Sequence, residues 1–326
     1  MDFQLSEDQQ ALQEGVRTFC EGRISADQLR ELEKEAFDRD LWGELAEMGV
    51  FGLRLPESEG GVGLGSADAV VVFEELGRCL APGPLVWTHL LAGRVEGAAS
   101  GECVVGGLDL VGSGEDPVLV EYLAHIDTLV VLREGGVYAV PPGSLEATPI
   151  ETPLDPFTPV HHVASLPEGE RIADAATAAQ LRVEGAALSS ALMLGIAEQT
   201  QEMATEYAKG REQFNRPIGS FQAIKHILAD MFVRQELARA AVYAAGATLD
   251  DPEVGSVRRA VSTAKLVAGE AAMKNSRSCV QVHGGMGYTW EMPVHYYLKR
   301  TWVLENVFGG VEEHALHVAE EIGERG

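Results

Sequence analysis

Positive charge is scarce in this sequence. Lysine and arginine together number 25, against 50 aspartate and glutamate residues in a chain of 326, and the formal net charge is −25. The phosphates of nucleic acid and the surfaces of anionic membranes would repel such a chain. We therefore expect neither nucleic acid nor a membrane as a partner, and any anionic ligand would require a local group of cations.

Cysteine and long apolar runs are scarce as well. The four cysteines, Cys20, Cys79, Cys103 and Cys279, are scattered and show neither a CxxC pair nor metal-ligand spacing. The N-terminus is polar and acidic, and no apolar run reaches the roughly 18 residues that a membrane-spanning helix needs. The sequence thus predicts a soluble, cytoplasmic protein with reduced thiols and no metal site.

Helical patterns occupy both ends of the chain. The segment Ser6–Gln9 resembles a capping box at a helix start, and Asp251-Pro252 is typical of another helix start. Between Gly101 and Ile172, valine-rich runs alternate with glycine, proline and aspartate, which favours short strands joined by turns. We predict a mainly α fold with a small β domain, divided into an N-terminal helical domain (1–100), a shortened β domain (101–172) and a C-terminal four-helix bundle (173–326).

A loop between two predicted helices carries groups that are typical of a phosphate site. Within Tyr207–Met231, Arg211 and Phe214 stand three residues apart with Gln213 between them, and Gln222 lies near the start of the next helix. A guanidinium can donate two parallel hydrogen bonds to phosphate oxygens, and a helix N-terminus favours anions. The alternative is an ordinary helix hairpin whose arginine forms a surface ion pair.

A second unusual segment, Gln281–Tyr288, is rich in glycine. Gly284 and Gly285 would let the backbone approach a ligand closely or turn with a positive φ. The same glycines could instead serve only to end a helix. His283 lies within the segment, but it has no second histidine or carboxylate at ligand spacing, so we predict no metal here.

Together these two segments resemble the C-terminal half of the acyl-CoA dehydrogenase family. The Arg-x-x-Phe pattern at Arg211 and the Gln-x-x-Gly-Gly pattern at Gln281 carry the resemblance, and the order of helices, strands and helices extends it over nearly the whole chain. The resemblance implies that both segments hold the ADP part of an FAD whose flavin lies mostly on a neighbouring subunit. It assigns cofactor-binding roles to Arg211, Gln213, Phe214, Gln222, Gln281, Gly284 and Gly285.

The family's catalytic glutamate has no counterpart at its usual position. In the family this base lies in a Tyr-Glu-Gly-Thr-like stretch and removes the α-proton of the substrate. The matching residues here run from Phe308 to Val311, so Gly309 stands where the base would be. Some relatives place the base on the helix leading to the Arg-x-x-Phe pattern, at a position that falls near Gly185 here. Glu184 lies one residue away, a rotation of about 100° on a helix, and is the candidate for a displaced base.

A second family feature is missing from the β domain. The family carries there a Tyr/Phe-x-x-Thr-Glu-x-x-x-Gly-Ser-Asp-like segment that holds the isoalloxazine ring and the acyl-CoA. Nothing between Leu91 and Val130 resembles it. The resemblance therefore implies that this chain does not hold a flavin ring by itself.

The retained and missing features together predict a non-catalytic or half-site subunit of a heteromeric, FAD-dependent acyl-CoA dehydrogenase. It is similar to the smaller subunit of actinobacterial heterotetramers of steroid side-chain degradation. The expected partners are a homologous catalytic subunit, an acyl-CoA substrate and an electron-transfer flavoprotein. Two alternatives stay open, namely a homo-oligomeric acyl-CoA dehydrogenase with a displaced base such as Glu184 and a scaffold of the same fold that binds no flavin.

Overall fold

The computed structural model describes residues 5–112 and 116–323. Five helices come first: α1 (Glu7–Arg23), α2 (Ala26–Glu35), α3 (Arg39–Glu47), α4 (Ser66–Arg78) and α5 (Leu85–Leu91). Seven short strands follow: β1 (Val105–Asp109), β2 (Val118–Glu121), β3 (Thr128–Arg133), β4 (Gly136–Val140), β5 (Ala147–Pro149), β6 (Val160–Val163) and β7 (Glu170–Ala173). The remainder is α6 (Ala175–Gly210), β8 (Glu212–Gln213), β9 (Arg216–Pro217), α7 (Gln222–Asp250), α8 (Val257–His283), α9 (Val294–Leu304) and α10 (Val311–Gly323).

Side-chain caps explain where several helices begin. Ser6 accepts a hydrogen bond from the Gln9 amide while the Gln9 side chain bonds back to the Ser6 amide, which confirms the predicted capping box of α1. The predicted helix start at Asp251-Pro252 was wrong. Those residues open a single short turn, and α8 begins at Val257 because Ser256 caps it by accepting from the Arg259 amide.

Contacts divide the described residues into two compact units. The first contains the residues through Ala26, Val70–Ala81 and the chain from Ala186 on, and the second contains Asp27–Ala69 and Pro82–Gly185. The arrangement confirms the predicted mainly α fold with a small β domain, whereas the three predicted domain boundaries stay a prediction. No helix in the described part of the chain is both long enough and apolar enough to cross a membrane.

The second unit holds the strands in two small sheets. One sheet has the order β1-β3-β4-β7, with β1 and β3 parallel and the other pairs antiparallel; the other sheet is antiparallel with the order β2-β6-β5. Strand β3 is central and its four middle residues are buried, which explains its run of β-branched and leucine residues.

The first unit is organised around the long helices, with α8 packed against α7, α9 and α10. Helix α4 meets α6 in this unit at Gly77 and Gly195. A Cβ on Gly77 would overlap the Leu192 carbonyl, and a Cβ on Gly195 would overlap the Glu74 carbonyl. The two helices therefore touch backbone to backbone, which only glycine permits.

Candidate functional site

A tight hairpin joins α6 to α7 and presents the first predicted segment to solvent. Strands β8 and β9 pair antiparallel, with Gln213 opposite Arg216. The two residues at the tip, Phe214 and Asn215, have φ of 54° and 62°. This left-handed pair matches a type I′ turn, in which asparagine is common and phenylalanine is strained. Phe214 is nonetheless 87% exposed, so the fold gains little packing from its ring.

The charged side chains of the hairpin differ in their surroundings. The Arg216 guanidinium lies 4.0 Å above the ring of Phe221, which in turn stands edge-on to Phe214 at 6.1 Å. Arg211 is exposed, and its guanidinium makes no hydrogen bond or ion pair with any residue in 5–112 or 116–323. The surface ion pair that would explain Arg211 structurally is thus absent from the described part of the chain.

The second predicted segment forms the end of α8 and the turn after it. Gly284 has φ of 59° and its amide donates to the Gln281 carbonyl, so a glycine with positive φ ends the helix. Gly287 is required by packing, since a Cβ there would lie 2.7 Å from the Val280 carbonyl oxygen. At Gly285 φ is not in the left-handed region, and a Cβ would meet nothing within 4 Å. The described fold therefore gives no reason for a glycine at Gly285.

The two segments line one cavity of about 630 Å³ in the first unit. Its lining comes from the end of α6, the hairpin, the start of α7 and the end of α8: Tyr207, Arg211, Gln213, Phe214, Ile218, Phe221, Ile224, Val282, His283, Gly284, Gly285 and Met286. Flat apolar surface with one unpaired guanidinium at the rim suits a ligand that has an aromatic ring and phosphate groups.

His283 belongs to the wall of this cavity as a packed, neutral ring. Its Nδ1 donates to the Cys279 carbonyl at 2.8 Å, and its ring stacks on Tyr207 with centroids 4.1 Å apart. Burial lowers the pKa of His283 below its ordinary value, which keeps the ring uncharged at neutral pH. It contributes surface rather than charge.

Five of the seven predicted cofactor residues line the cavity, and two do not. Gln222 is the first residue of α7, is exposed, and lies 3.4 Å from His226 through its amide nitrogen. Gln281 is exposed on the last turn of α8. The sequence interpretation did not assign the aromatic and aliphatic wall of Tyr207, Ile218, Phe221 and Ile224, although apolar residues at a spacing of three near the start of α7 were a usable signal.

The turn that contains Gly309 is closed by neighbouring side chains. Phe308 and Gly309 have φ of 57° and 99°. The His314 Nε2 donates to the Phe308 carbonyl at 3.0 Å while its Nδ1 accepts from Ser262 at 3.1 Å. A Cβ on Gly309 would lie 2.8 Å from that same His314 Nε2. The position thus carries no carboxylate and has no room for one without rearrangement.

Lys265 closes the same turn from the other side. Its ammonium donates to the carbonyls of Leu304 and Val307, at 2.8 and 2.7 Å, at the end of α9. Lys265 is buried, and this burial lowers its pKa from 10.5 to about 7. A buried amine that holds two carbonyls fixes the path of the chain into the Gly309 turn.

Glu184 lies on α6 beside a second cavity of about 370 Å³ in the second unit. One carboxylate oxygen accepts from Arg54 at 2.7 Å and the other accepts from Gln180 at 2.8 Å. Arg54 also donates to Nε2 of the buried His89 at 3.0 Å, and burial lowers the pKa of His89 to about 3. Because both of its oxygens are engaged, Glu184 is placed as the partner of a fixed arginine rather than as an open base.

Comparisons with known proteins agree along the length of the chain. A model of the acyl-CoA dehydrogenase N-terminal domain matches residues 6–97, and a model of the acyl-CoA dehydrogenase C-terminal domain matches residues 176–323. The acyl-CoA dehydrogenase IpdE2 of Mycolicibacterium smegmatis is 31% identical, over 98% of this chain and all of that protein. FadE34 of Mycobacterium tuberculosis is 31% identical over 90% of this chain, but the match spans only 44% of FadE34.

Two solved structures share the fold at similar length. The ChsE4-ChsE5 complex of Mycobacterium tuberculosis has a TM-score of 0.85 at 27% identity, covering 99% of each chain. A structure described as the Tcur3481-Tcur3483 steroid ACAD, in a G363A variant, has a TM-score of 0.83 at 25% identity and covers 98% of each chain.

Proposed function

This chain belongs to the acyl-CoA dehydrogenase family, and from that premise we propose that it is one subunit of a heteromeric enzyme. FAD is the cofactor of the family. In our proposal this subunit binds the ADP end of an FAD, while a homologous partner holds the flavin ring, the acyl-CoA and the base. The complex would catalyse α,β-dehydrogenation of an acyl-CoA thioester and pass the electrons to an electron-transfer flavoprotein.

The observation that supports this proposal most strongly is the cavity that the two segments line together. Arg211 is exposed and unpaired within the described residues, and Phe214 accepts an unfavourable left-handed backbone although its ring is 87% exposed. Strain without packing gain is typical of a residue that serves a ligand. Gly285, which the described fold does not require, leaves the cavity floor open.

The residues of this cavity fit an ADP group by their chemistry. The Arg211 guanidinium would hold the two phosphates through charge-assisted hydrogen bonds. The rings of Phe214 and Phe221 offer flat surface for an adenine. When bound, FAD supplies the ring system that accepts a hydride from the substrate.

The proposal assigns proton abstraction to the partner for two reasons. Gly309 has no acidic group, and its neighbour His314 leaves no space for a longer side chain. Glu184 has both oxygens engaged by Arg54 and Gln180. Gly309 therefore offers no carboxylate, and the Glu184 carboxylate, although it lines the second cavity, is held by Arg54 and Gln180.

A heteromeric assembly is supported by what the related structures contain. Both are described by pairs of names, ChsE4-ChsE5 and Tcur3481-Tcur3483, and the second is described as a steroid enzyme. FadE34, which this chain matches over 44% of its length, is about twice as long as this chain. We therefore propose a heterotetramer with a steroid-derived acyl group as substrate, and a cytoplasmic location.

The direct test is FAD content with and without the partner. The chain would be expressed alone and together with its partner, and FAD per protomer and oligomeric mass would be measured for both preparations. We expect a colourless lone chain and a complex with half as many FAD molecules as chains. A lone chain that is yellow and bleaches with acyl-CoA would overturn the proposal in favour of a homo-oligomeric enzyme, and a Glu184→Gln variant of that preparation would then test the displaced base.

A further inference from the structure

Helix α1 lies against the end of α4 through two adjacent contacts within the first unit. The first is an ion pair in which Arg17 donates to both carboxylate oxygens of Glu75, at 2.6 and 3.0 Å. The second is a pair of thiols, Cys20 and Cys79, with their sulfur atoms 3.0 Å apart. Cys20 follows Arg17 by three residues, and Cys79 follows Glu75 by four, so each contact lies about one helical turn from the other.

The distance between these sulfurs is shorter than an ordinary contact between unbonded sulfur atoms. A disulfide bond is about 2.05 Å long, so the two sulfurs need to approach by only about 1 Å. Cys79 follows the last residue of α4 and lies in a turn rather than inside the helix, where a small backbone shift costs little. No local sequence pattern indicates this pair, because 59 positions separate the two cysteines.

We propose that Cys20 and Cys79 form a redox-dependent bond that ties α1 to α4, with a peroxide as the oxidant. Cys79 is half-buried whereas Cys20 is buried, so Cys79 is the thiol that meets the oxidant first. Hydrogen bonding to Cys79 and burial raise the pKa of Cys20 well above its ordinary value. Cys20 therefore acts second and reacts slowly.

The chemistry balances with hydrogen peroxide as co-reactant. The Cys79 thiolate attacks one peroxide oxygen, the O–O bond breaks, and the departing hydroxide takes up the proton that the thiol lost. The resulting Cys79 sulfenic acid is attacked by the Cys20 sulfur, the S–O bond breaks, and hydroxide leaves with the Cys20 proton as a second water. The two thiols lose two electrons and the peroxide gains two.

The other two cysteines provide internal controls. Within the described residues, Cys20 and Cys79 are the only two cysteines whose sulfur atoms contact each other. The Cys103 sulfur instead lies 3.8 Å from the Thr128 hydroxyl, and the Cys279 sulfur lies 3.7 Å from His283. Burial raises the pKa of Cys279 to about 12, which suppresses its thiolate. We expect both to stay reduced under conditions that oxidise the pair.

The test is peroxide treatment of the folded full-length chain, followed by denaturation, alkylation and peptide mass mapping. We expect alkylatable cysteines to fall from four to two, with a linked peptide pair containing Cys20 and Cys79 that dithiothreitol separates. The linked protein should melt about 5 °C higher than the reduced protein, because a cross-link across a long loop restricts the unfolded chain. Linkage without a change in melting temperature would overturn the claim that the bond secures α1.

Two variants separate a true pair from a merely oxidisable thiol. In Cys20→Ser the reaction should stop at a Cys79 sulfenic acid that dimedone traps, and in Cys79→Ala all three remaining thiols should stay alkylatable. Over-oxidation of Cys79 in the unmodified chain while Cys20 remains alkylatable would overturn the proposal, as would retention of all four thiols. The mapping on the unmodified chain decides the matter even if a variant folds poorly.

Discussion

Two glycine-containing turns, one after α8 and one between α9 and α10, differ in how much space surrounds their glycines. The turn after α8 is open: Gly285 has nothing within 4 Å of the position of a Cβ, and it faces a cavity with an exposed arginine at the rim. The turn between α9 and α10 is closed: Lys265 and His314 hold its carbonyls, and a Cβ on Gly309 would press on His314.

The difference shows that the role of a glycine in a turn depends on the side chains packed around it. The open turn leaves space at the surface, which is what a ligand that reaches across from another subunit would require. In the closed turn His314 and its hydrogen bond to the Phe308 carbonyl occupy the space beside Gly309, so no single substitution at Gly309 can place a longer side chain there without rearrangement. One turn can be a binding surface, and the other is part of the core.

The largest expected effect is on Arg211, the arginine of the α6–α7 hairpin that lines the cavity beside the open turn. Arg211→Ala in the co-expressed complex should weaken FAD binding roughly 10- to 100-fold, because a charge-assisted hydrogen bond contributes about 1.5–3 kcal/mol. Lys209→Ala is the matched control, since Lys209 lies two residues before Arg211 at the end of α6, pairs with Glu206 and does not line the cavity. FAD per complex after gel filtration is the measurement, and unchanged FAD content in Arg211→Ala would favour the scaffold alternative.

A pair of alanine substitutions tests the contrast between the turns directly. Gly309→Ala should destabilise the chain by about 1–3 kcal/mol, because alanine is strained at a φ of 99° and meets His314. Gly285→Ala should change stability by less than about 0.5 kcal/mol and yet weaken FAD binding in the complex.

Urea unfolding and FAD titration of both variants give the two readouts. Equal loss of stability in Gly285→Ala and Gly309→Ala would mean that the open turn is as constrained as the closed one. Gly309→Glu should lose stability as well and gain no dehydrogenase activity.

The last expected effect concerns the pH dependence of the closed turn. The pKa of Lys265 falls from 10.5 to about 7 on folding, so between these values the unfolded chain binds a proton that the folded chain does not. Stability therefore rises with pH across this window, and the full penalty of burying the charge applies below pH 7. Lys265→Met should lack this rise.

Urea unfolding of the unmodified chain and of Lys265→Met from pH 7 to pH 10 would measure this pH dependence of stability. Because other titrating groups are common to both proteins, they cancel in the difference between the curves. Parallel curves for the two proteins would show that Lys265 keeps its proton in the folded state.

The sequence was informative wherever a local pattern determined the structure. The Ser6 capping box, the helix–strand–helix order and the convergence of Arg211 with Gly285 were all foreseen, and the family is confirmed. Such features depend on neighbours a few residues away or on patterns that one family shares.

The remainder depended on contacts between distant residues. Glu184 pairs with Arg54, which is 130 positions away, so no local pattern could show that its oxygens are engaged. Gln281 matches a family motif but lies outside the cavity lining, because helix geometry on α8 directs it to another face. The distant thiol pair belongs to the same class.

The contact between α4 and α6 has a consequence for how this protein tolerates change. An overlap with a side chain can be relieved by rotation, but at Gly77 and Gly195 the added atom would meet a peptide carbonyl, which cannot swing aside. In a library that replaces every residue of the chain with every other amino acid, no folded variant should be recovered at these two positions, not even with alanine. Proteins that retain this fold could thus change their loops and surface charges while these two positions remain glycine.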